Sequence, residues 1–401
     1  MYHVLTNGGA PTGMVALLPR VETMVAVLYF GLFAMSFDFI SGYTGYLSFG
    51  HAAFYGTGAY FVVLVANGKV PLLAPETPFI WLLVLAGVLA AVLALVIGTF
   101  SFRLTGVYFA MITLGFAQVL YVFMRDWEYL GANPRDGIAV TGLTEGFRIG
   151  VPGVDSLSVA IGQLAGEPID LFGSTLGAST VSYYAVGLVV VVCYIAMQRI
   201  IHSPFGRVMI AIRENEARAR AIGYNTFYYK LGAFSMSAFF AGVAGGLFAG
   251  FRRSVTPENG YYFLVTGDAL LASIIGGFGT LAGPLYGRLF DEGLREFLSK
   301  SGSGGGLLVF LRDSLGHPAM ETVVIGGMTV GELVETFLNG HAPLYVGIVF
   351  VLFVLYVPNG MVGTVRDRLG GTCAKQLPAW LSDRLTAIVT AIRERVSGVR
   401  H

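Results

Sequence analysis

Two stretches hold residue types able to do something other than fill a bilayer. Residues 203–223 (SPFGRVMIAIRENEARARAIG) carry six charges of both signs between two apolar runs, 181–201 and 227–251. Ser203 can N-cap a helix, and Pro204 suits its first turn, where a missing N–H costs nothing. Gly223 supplies a left-handed stop. Glu214 with Arg218, and Glu216 with Arg220, are i,i+4 pairs in the favourable orientation. The spacing therefore predicts a short charged helix held against one face of a membrane. Two readings stay open on spacing alone: a solvated connector, or a docking helix for a partner.

The second stretch, residues 42–60 (GYTGYLSFGHAAFYGTGAY), is too rich in glycine and polar groups for an ordinary lipid-facing helix. It predicts a broken or tightly packed helix. Gly42, Gly45, Gly50, Gly56 and Gly58 allow close approach, Ser48 and His51 can hydrogen-bond, and Phe54 and Tyr60 count with them as candidate packing or path residues.

Chemistry of other kinds is missing from the sequence. There is no G-x-x-x-x-G-K-[ST] phosphate loop, no H-E-x-x-H, no His/Cys pattern with zinc spacing and no G-x-S-x-G. No catalytic residue and no metal site is expected. Cys193 and Cys373 lie too far apart in membrane depth to suggest a disulfide. The spans are expected to be nearly free of ionisable groups, with Asp38 and Asp268 at interfacial ends, so ion coupling finds little support. Energy for any transport would have to come from another chain.

The elements that position these stretches follow from composition. The 401 residues are 55% hydrophobic and 12% charged, where soluble domains average about 25% charged. This predicts an all-α polytopic membrane protein of roughly 8–10 spans. Candidate spans are 21–40, 46–66, 79–101, 107–124, 181–201, 227–251, 264–282, 283–299 and 341–357. The second, seventh and eighth are interrupted by glycine and polar residues, which must face protein or a wet cavity. No basic stripe or nucleic-acid motif is present, and the net charge is +1.

Lys and Arg placement orients the chain. Arg103, the central loop with Arg199, Arg207, Arg213, Arg218, Arg220 and Lys230, and the segment after the last span with Arg366, Arg368 and Lys375 fall on one side, assigned to the cytoplasm. Arg125, Arg135, Arg252 and Arg253 land on the other side, and the last two count against the assignment. The division expected is an N-terminal extension (1–20) and a membrane-spanning body (21–365). Within the body lie an outer connection (125–180), the cytoplasmic helix (203–223) and an outer insertion (300–340). An amphipathic cytoplasmic tail (366–401) follows.

The 42–60 stretch strongly resembles the signature of the LivM-type permease of branched-chain amino-acid ABC importers, G-Y-x-G-x-L-S-x-G-H-A-A-F-x-G-x-G-A-Y. The resemblance continues through 102–116 (FRLTGVYFAMITLGF) and the outer turn with Thr141, Gly142 and Gly146, where Leu143 replaces a second glycine. It takes in Gly206–Gly223, Ala238–Gly246, 276–284 (GGFGTLAGP) and the closing 358–363 (PNGMVG). It implies a permease, not an enzyme, with a LivH-like second permease subunit, two ABC ATPase subunits and an extracytoplasmic substrate-binding protein as partners in the lipid bilayer. It implies no cofactor on this chain, ATP being used by the partner subunits, and a multi-pass place in the cell membrane. Under it, residues 203–223 become the coupling helix, with Gly206, Arg207, Arg213, Glu214, Arg218 and Gly223 meeting an ATPase, and the 42–60 stretch lines or packs the translocation path. A same-family importer of urea or amides, and a stand-alone secondary transporter or channel, are the alternatives.

Overall fold

The structure, a computed structural model, describes residues 19–75, 77–131, 133–140, 148–149, 159–160, 169–171, 174–176, 178–299, 323–325, 328–329, 342–357 and 360–364. Ten helices make up most of the described residues: α1 (Val21–Thr44), α2 (Ala52–Ala66), α3 (Phe79–Ser101), α4 (Val107–Asp126), α5 (Ala178–Ile201), α6 (Pro204–Ala221), α7 (Thr226–Arg252), α8 (Phe263–Gly276), α9 (Gly283–Ser299) and α10 (Ala342–Tyr356). A single helical turn, Pro257–Gly260, joins α7 to α8. Strands among the described residues are two or three residues long and form four antiparallel pairs, one of which ties Ile138–Ala139 to Ser254–Val255.

Among the described residues, six helices are long and apolar enough to cross a membrane: α1, α3, α4, α5, α7 and the helix beginning at Leu344. At about 1.5 Å per residue, about 20 residues cross a 30 Å hydrocarbon core. The all-α polytopic class therefore stands, but three of the expected spans are redrawn. The 46–66 span is broken: residues 45–51 are non-helical and α2 has only 15 residues. The 264–282 span shortens to the 14 residues of α8, because Gly277 and Gly279 take positive φ and end it. The 283–299 span is the 17-residue α9, whose charges make it strongly amphipathic.

The core is centred on α1, α2 and α7, with α3 packed along α7. Phe33, Phe37, Phe54, Phe109, Phe234 and Tyr55 are fully or almost fully buried there. By contrast Val88, Val92, Val96 and Phe100 of α3 recur every fourth residue and are about half exposed. Such a stripe on a long apolar helix is where lipid or a partner helix would sit.

Small residues set how closely the core helices approach. A Cβ on Gly58 would run into the Gly242 carbonyl oxygen, and one on Gly245 into that of Tyr55. The α2–α7 contact is thus backbone on backbone, a geometry that no larger residue permits.

Candidate functional site

The charged helix forms as its sequence dictates. The Ser203 hydroxyl accepts from the Gly206 N–H, Pro204 occupies the first turn, and Gly223 takes φ +96° beyond the C-cap. One expectation fails. Asn215 is non-helical, at φ −161° and ψ 100°, and its side-chain oxygen accepts from the Arg218 N–H at 2.9 Å. It acts as an N-cap that restarts the helix. The kink lies between Glu214 and Arg218, so no ion pair forms between them among the described residues, whereas Glu216 and Arg220 meet at 2.6 Å.

The inner face of α6 is fastened at two points. At the first, an Arg213 Nη1–H donates to the carbonyl oxygen of Gly42, in the last turn of α1. This satisfies an orphan carbonyl at a helix C-terminus, where the dipole also favours a cation. The same guanidinium lies beside Gly279, whose N–H donates to Asp38 at 2.8 Å. Asp38 is fully buried within the protein, six residues before the end of α1, where its carboxylate holds the turn between α8 and α9. At the second point, Glu216 accepts from Arg220 (2.6 Å), Tyr46 (2.7 Å), Thr226 (2.9 Å) and Lys230 (2.9 Å). Burial alone would raise its carboxyl, but the hydrogen bonds from Lys230, Tyr46, Arg220 and Thr226 outweigh that and bring it down to about 2. The Lys230 side chain is 3% exposed, and its ammonium also lies 4.7 Å from the Tyr46 ring centre.

These contacts sort the expected coupling residues. Gly206 sits in the tight α5–α6 turn, where a Cβ would meet the Ile201 carbonyl. Arg213 faces the chain's own α1. Arg207, Glu214 and Arg218 are exposed, and a Cβ added at Gly223 would meet nothing within 4 Å.

The 42–60 stretch is a broken helix. Gly45 ends α1 in a left-handed C-cap, its N–H donating to Ser41 O. The chain then rises through 45–51 to start α2 within the core. The depth of that start follows from its neighbours. Ser36 lies about eight residues from the end of α1 and Ser237 about eleven from the start of α7, which places His51 some 12–16 Å in. The new helix start is satisfied by protein, as lipid depth demands: the Ala52 N–H donates to Thr266 Oγ1 at 2.8 Å.

His51 is fully buried among Phe33, Phe37 and Phe54, with ring centres 5.4–5.8 Å away. Its Nε2 lies 3.2 Å from Ser36 Oγ and 3.3 Å from Ser237 Oγ. Both serine hydroxyls donate elsewhere, Ser36 to Phe33 O and Ser237 to Ser36 O. The network therefore assigns the donor role to Nε2. His51 pins α2 to α1 and α7 at once, and its Nδ1 has no partner among the described residues. Ser48 and Tyr60 are likewise enclosed, their hydroxyls unpartnered among the described residues. Gly50 lies under the Thr113 carbonyl. Thr141, Gly142 and Gly146 lie outside the described residues, as do most of 300–340 and all of 366–401.

Sequence reading missed the charges at the end away from α6. On α9, Arg288 pairs with Asp291 (2.9 Å) and Glu292 (2.6 Å), and Arg295 with Asp291 (3.0 Å). The expected 283–299 span therefore carries paired charges, while the six helices long and apolar enough to cross a membrane among the described residues hold few. The i,i+3 and i,i+4 spacing of these residues was the available signal. Asp268, in the second turn of α8, is 41% exposed and lies 3.9 Å from Arg295. Arg252, Arg288, Asp268, Asn259 and Ser254 surround a cavity of about 330 Å³ with Tyr29, Phe30, Tyr55, Phe248 and Val265.

Comparison with known proteins fits this architecture. A family model described as branched-chain amino acid transport system / permease component matches residues 20–357. The high-affinity branched-chain amino acid transport system permease protein LivM of Escherichia coli is 29% identical over 267 residues, covering 65% of this chain and 59% of that protein. LivM of Salmonella typhimurium is 28% identical over the same shares. A probable LivH of Methanocaldococcus jannaschii is 30% identical over 143 residues, 35% of this chain and 43% of that protein. The matched region spans about three-fifths of the length of the LivM relatives. No solved structure matches. With its family match running from the start of α1 to the end of α10, the chain belongs to the branched-chain amino acid transport system permease family.

Proposed function

We propose that the chain is the membrane-spanning permease subunit of an ABC importer for branched-chain amino acids. It works with a LivH-like second permease, two ATPase subunits and an extracytoplasmic binding protein. Family membership and the names of the LivM and LivH relatives support this reading. The observation that carries the mechanism is the double fastening of α6. Arg213 ties it to the end of α1, and Glu216 ties it to Tyr46 and to Lys230 of α7. A push on α6 therefore reaches the two helices that clasp the broken α2 as a rigid-body displacement.

In this reading α6 lies in the cytoplasm, as the arginine distribution of the central loop favours, and its exposed Arg207, Glu214 and Arg218 meet an ATPase. ATP binds to the partner subunits and none binds here. The 42–60 stretch acts as the packing joint around which the path opens, with His51 as its pin. The Arg207→Glu/Arg218→Glu double variant tests the docking face. ATP-driven uptake of labelled leucine should fall at least about tenfold, with membrane insertion and thermal stability unchanged, since surface changes away from packing usually move stability by only about 0.5 kcal/mol. Undiminished uptake would remove α6 from the coupling pathway. The ligand of the cognate binding protein, measured directly, separates amino acids from urea or amides as cargo.

A further inference from the structure

The cavity at the end away from α6 has a charge arrangement that its own salt bridges leave unfinished. Arg288 is engaged by Asp291 and Glu292 and lies flat over Phe30, 4.2 Å from the ring centre. Arg252 is different. It is exposed and hydrogen-bonds Tyr29, and among the described residues no carboxylate lies within ion-pair distance of it. It also sits on the side where short-loop cations are disfavoured if α6 is cytoplasmic, so topology gives no reason for it. Across the same cavity Asp268 has only a 3.9 Å contact with Arg295 and remains 41% exposed. Phe30, Tyr55, Phe248 and Val265 also line the cavity, whose exposed surface is otherwise mostly polar. The volume of about 330 Å³ lies at the small end of the roughly 300–1,000 Å³ typical of small-molecule sites.

We infer that this cavity is a receiving site for a zwitterionic α-amino acid with an aliphatic side chain. Arg252 takes the carboxylate, Asp268 the ammonium, and Phe248 and Val265 the side chain. A guanidinium matches a carboxylate with two parallel N–H donors, which makes Arg252 the orienting group. The inference rests on the importer reading for the identity of the cargo and on the cavity for everything else.

The test uses the full chain carrying Ser254→Cys, a cavity-wall position, and follows the rate at which a small charged thiol reagent alkylates the introduced thiol. Millimolar L-leucine should slow the reaction. Leucinamide, which lacks the carboxylate, and 4-methylpentanoate, which lacks the ammonium, should protect at concentrations about tenfold higher or not at all, as expected for the loss of one charge-assisted bond. Arg252→Gln should abolish protection by leucine, and Arg252→Lys should keep part of it. Asp268→Asn should remove the preference for leucine over 4-methylpentanoate, and this second variant keeps the test open if Arg252→Gln does not fold. Equal protection by leucine and leucinamide, or leucine protection unchanged in Arg252→Gln, overturns the site. ATP-driven leucine uptake by the assembled transporter without any protection overturns the site and leaves the importer reading standing. Protection with the predicted selectivity, in a transporter that moves no leucine, supports the site and overturns the importer reading.

Discussion

Replacing Glu216 by alanine tests whether α6 is locked to the membrane core by a charge pair or merely lies against it. The carboxylate accepts four hydrogen bonds, and its removal strands the Lys230 ammonium, whose side chain is 3% exposed. Breaking a buried pair by deleting one partner typically costs about 3–5 kcal/mol. Glu216 is 21% exposed, so water can enter where its carboxylate was. The expected loss therefore falls at or just below the lower end of that range, about 2–3 kcal/mol. Lys230→Met in the same background removes the stranded charge, and the double variant should lose only about 1 kcal/mol. The assay is equilibrium unfolding in detergent across the four proteins of the cycle, which isolates the coupling between the two sites. Additive losses, with the double variant weaker than either single one, would falsify the charge-lock account.

Three further outcomes follow from the same geometry. The Glu216 carboxyl is at about 2 in the folded chain against 4.5 unperturbed, so its stabilisation is fully present above pH 4.5 and is lost as pH falls from there towards 2; pH-dependent unfolding of wild type and Glu216→Gln should converge in that window. Gly58→Ala forces a methyl into the Gly242 carbonyl and should cost at least about 1–3 kcal/mol, whereas Gly115→Ala, with nothing within 4 Å, should be neutral or slightly stabilising in the same thermal assay. Asn215→Ala removes the cap that restarts α6 and should destabilise its second half by about 1 kcal/mol, read as faster amide exchange over residues 216–221 with the rest of the chain unchanged.

Local signals in the sequence were read well, and distant ones were not. Ser203, Pro204 and Gly223 bound the charged helix because caps and stops act within a turn of where they stand. The partners of Glu216 and Arg213 were invisible, since Lys230, Tyr46 and Gly42 approach only once α1, α6 and α7 pack. Glycine density announced that 42–60 would be irregular, but not that the chain breaks at 45–51 and restarts at His51. That choice depends on Thr266, more than two hundred residues away, receiving the Ala52 N–H. On α9 the miss was of another kind. Arg288, Asp291, Glu292 and Arg295 were in plain sight, but a span-length window rich in leucine and phenylalanine hid a helix that buries its charges in pairs.

The most direct measurement of the importer reading is initial-rate uptake of labelled leucine into proteoliposomes, with this chain alone and with its second permease, ATPases and binding protein added. Uptake is predicted only in the assembled complex, requiring ATP hydrolysis and saturating with loaded binding protein. Leucine flux through the chain alone, without ATP or partners, would contradict it.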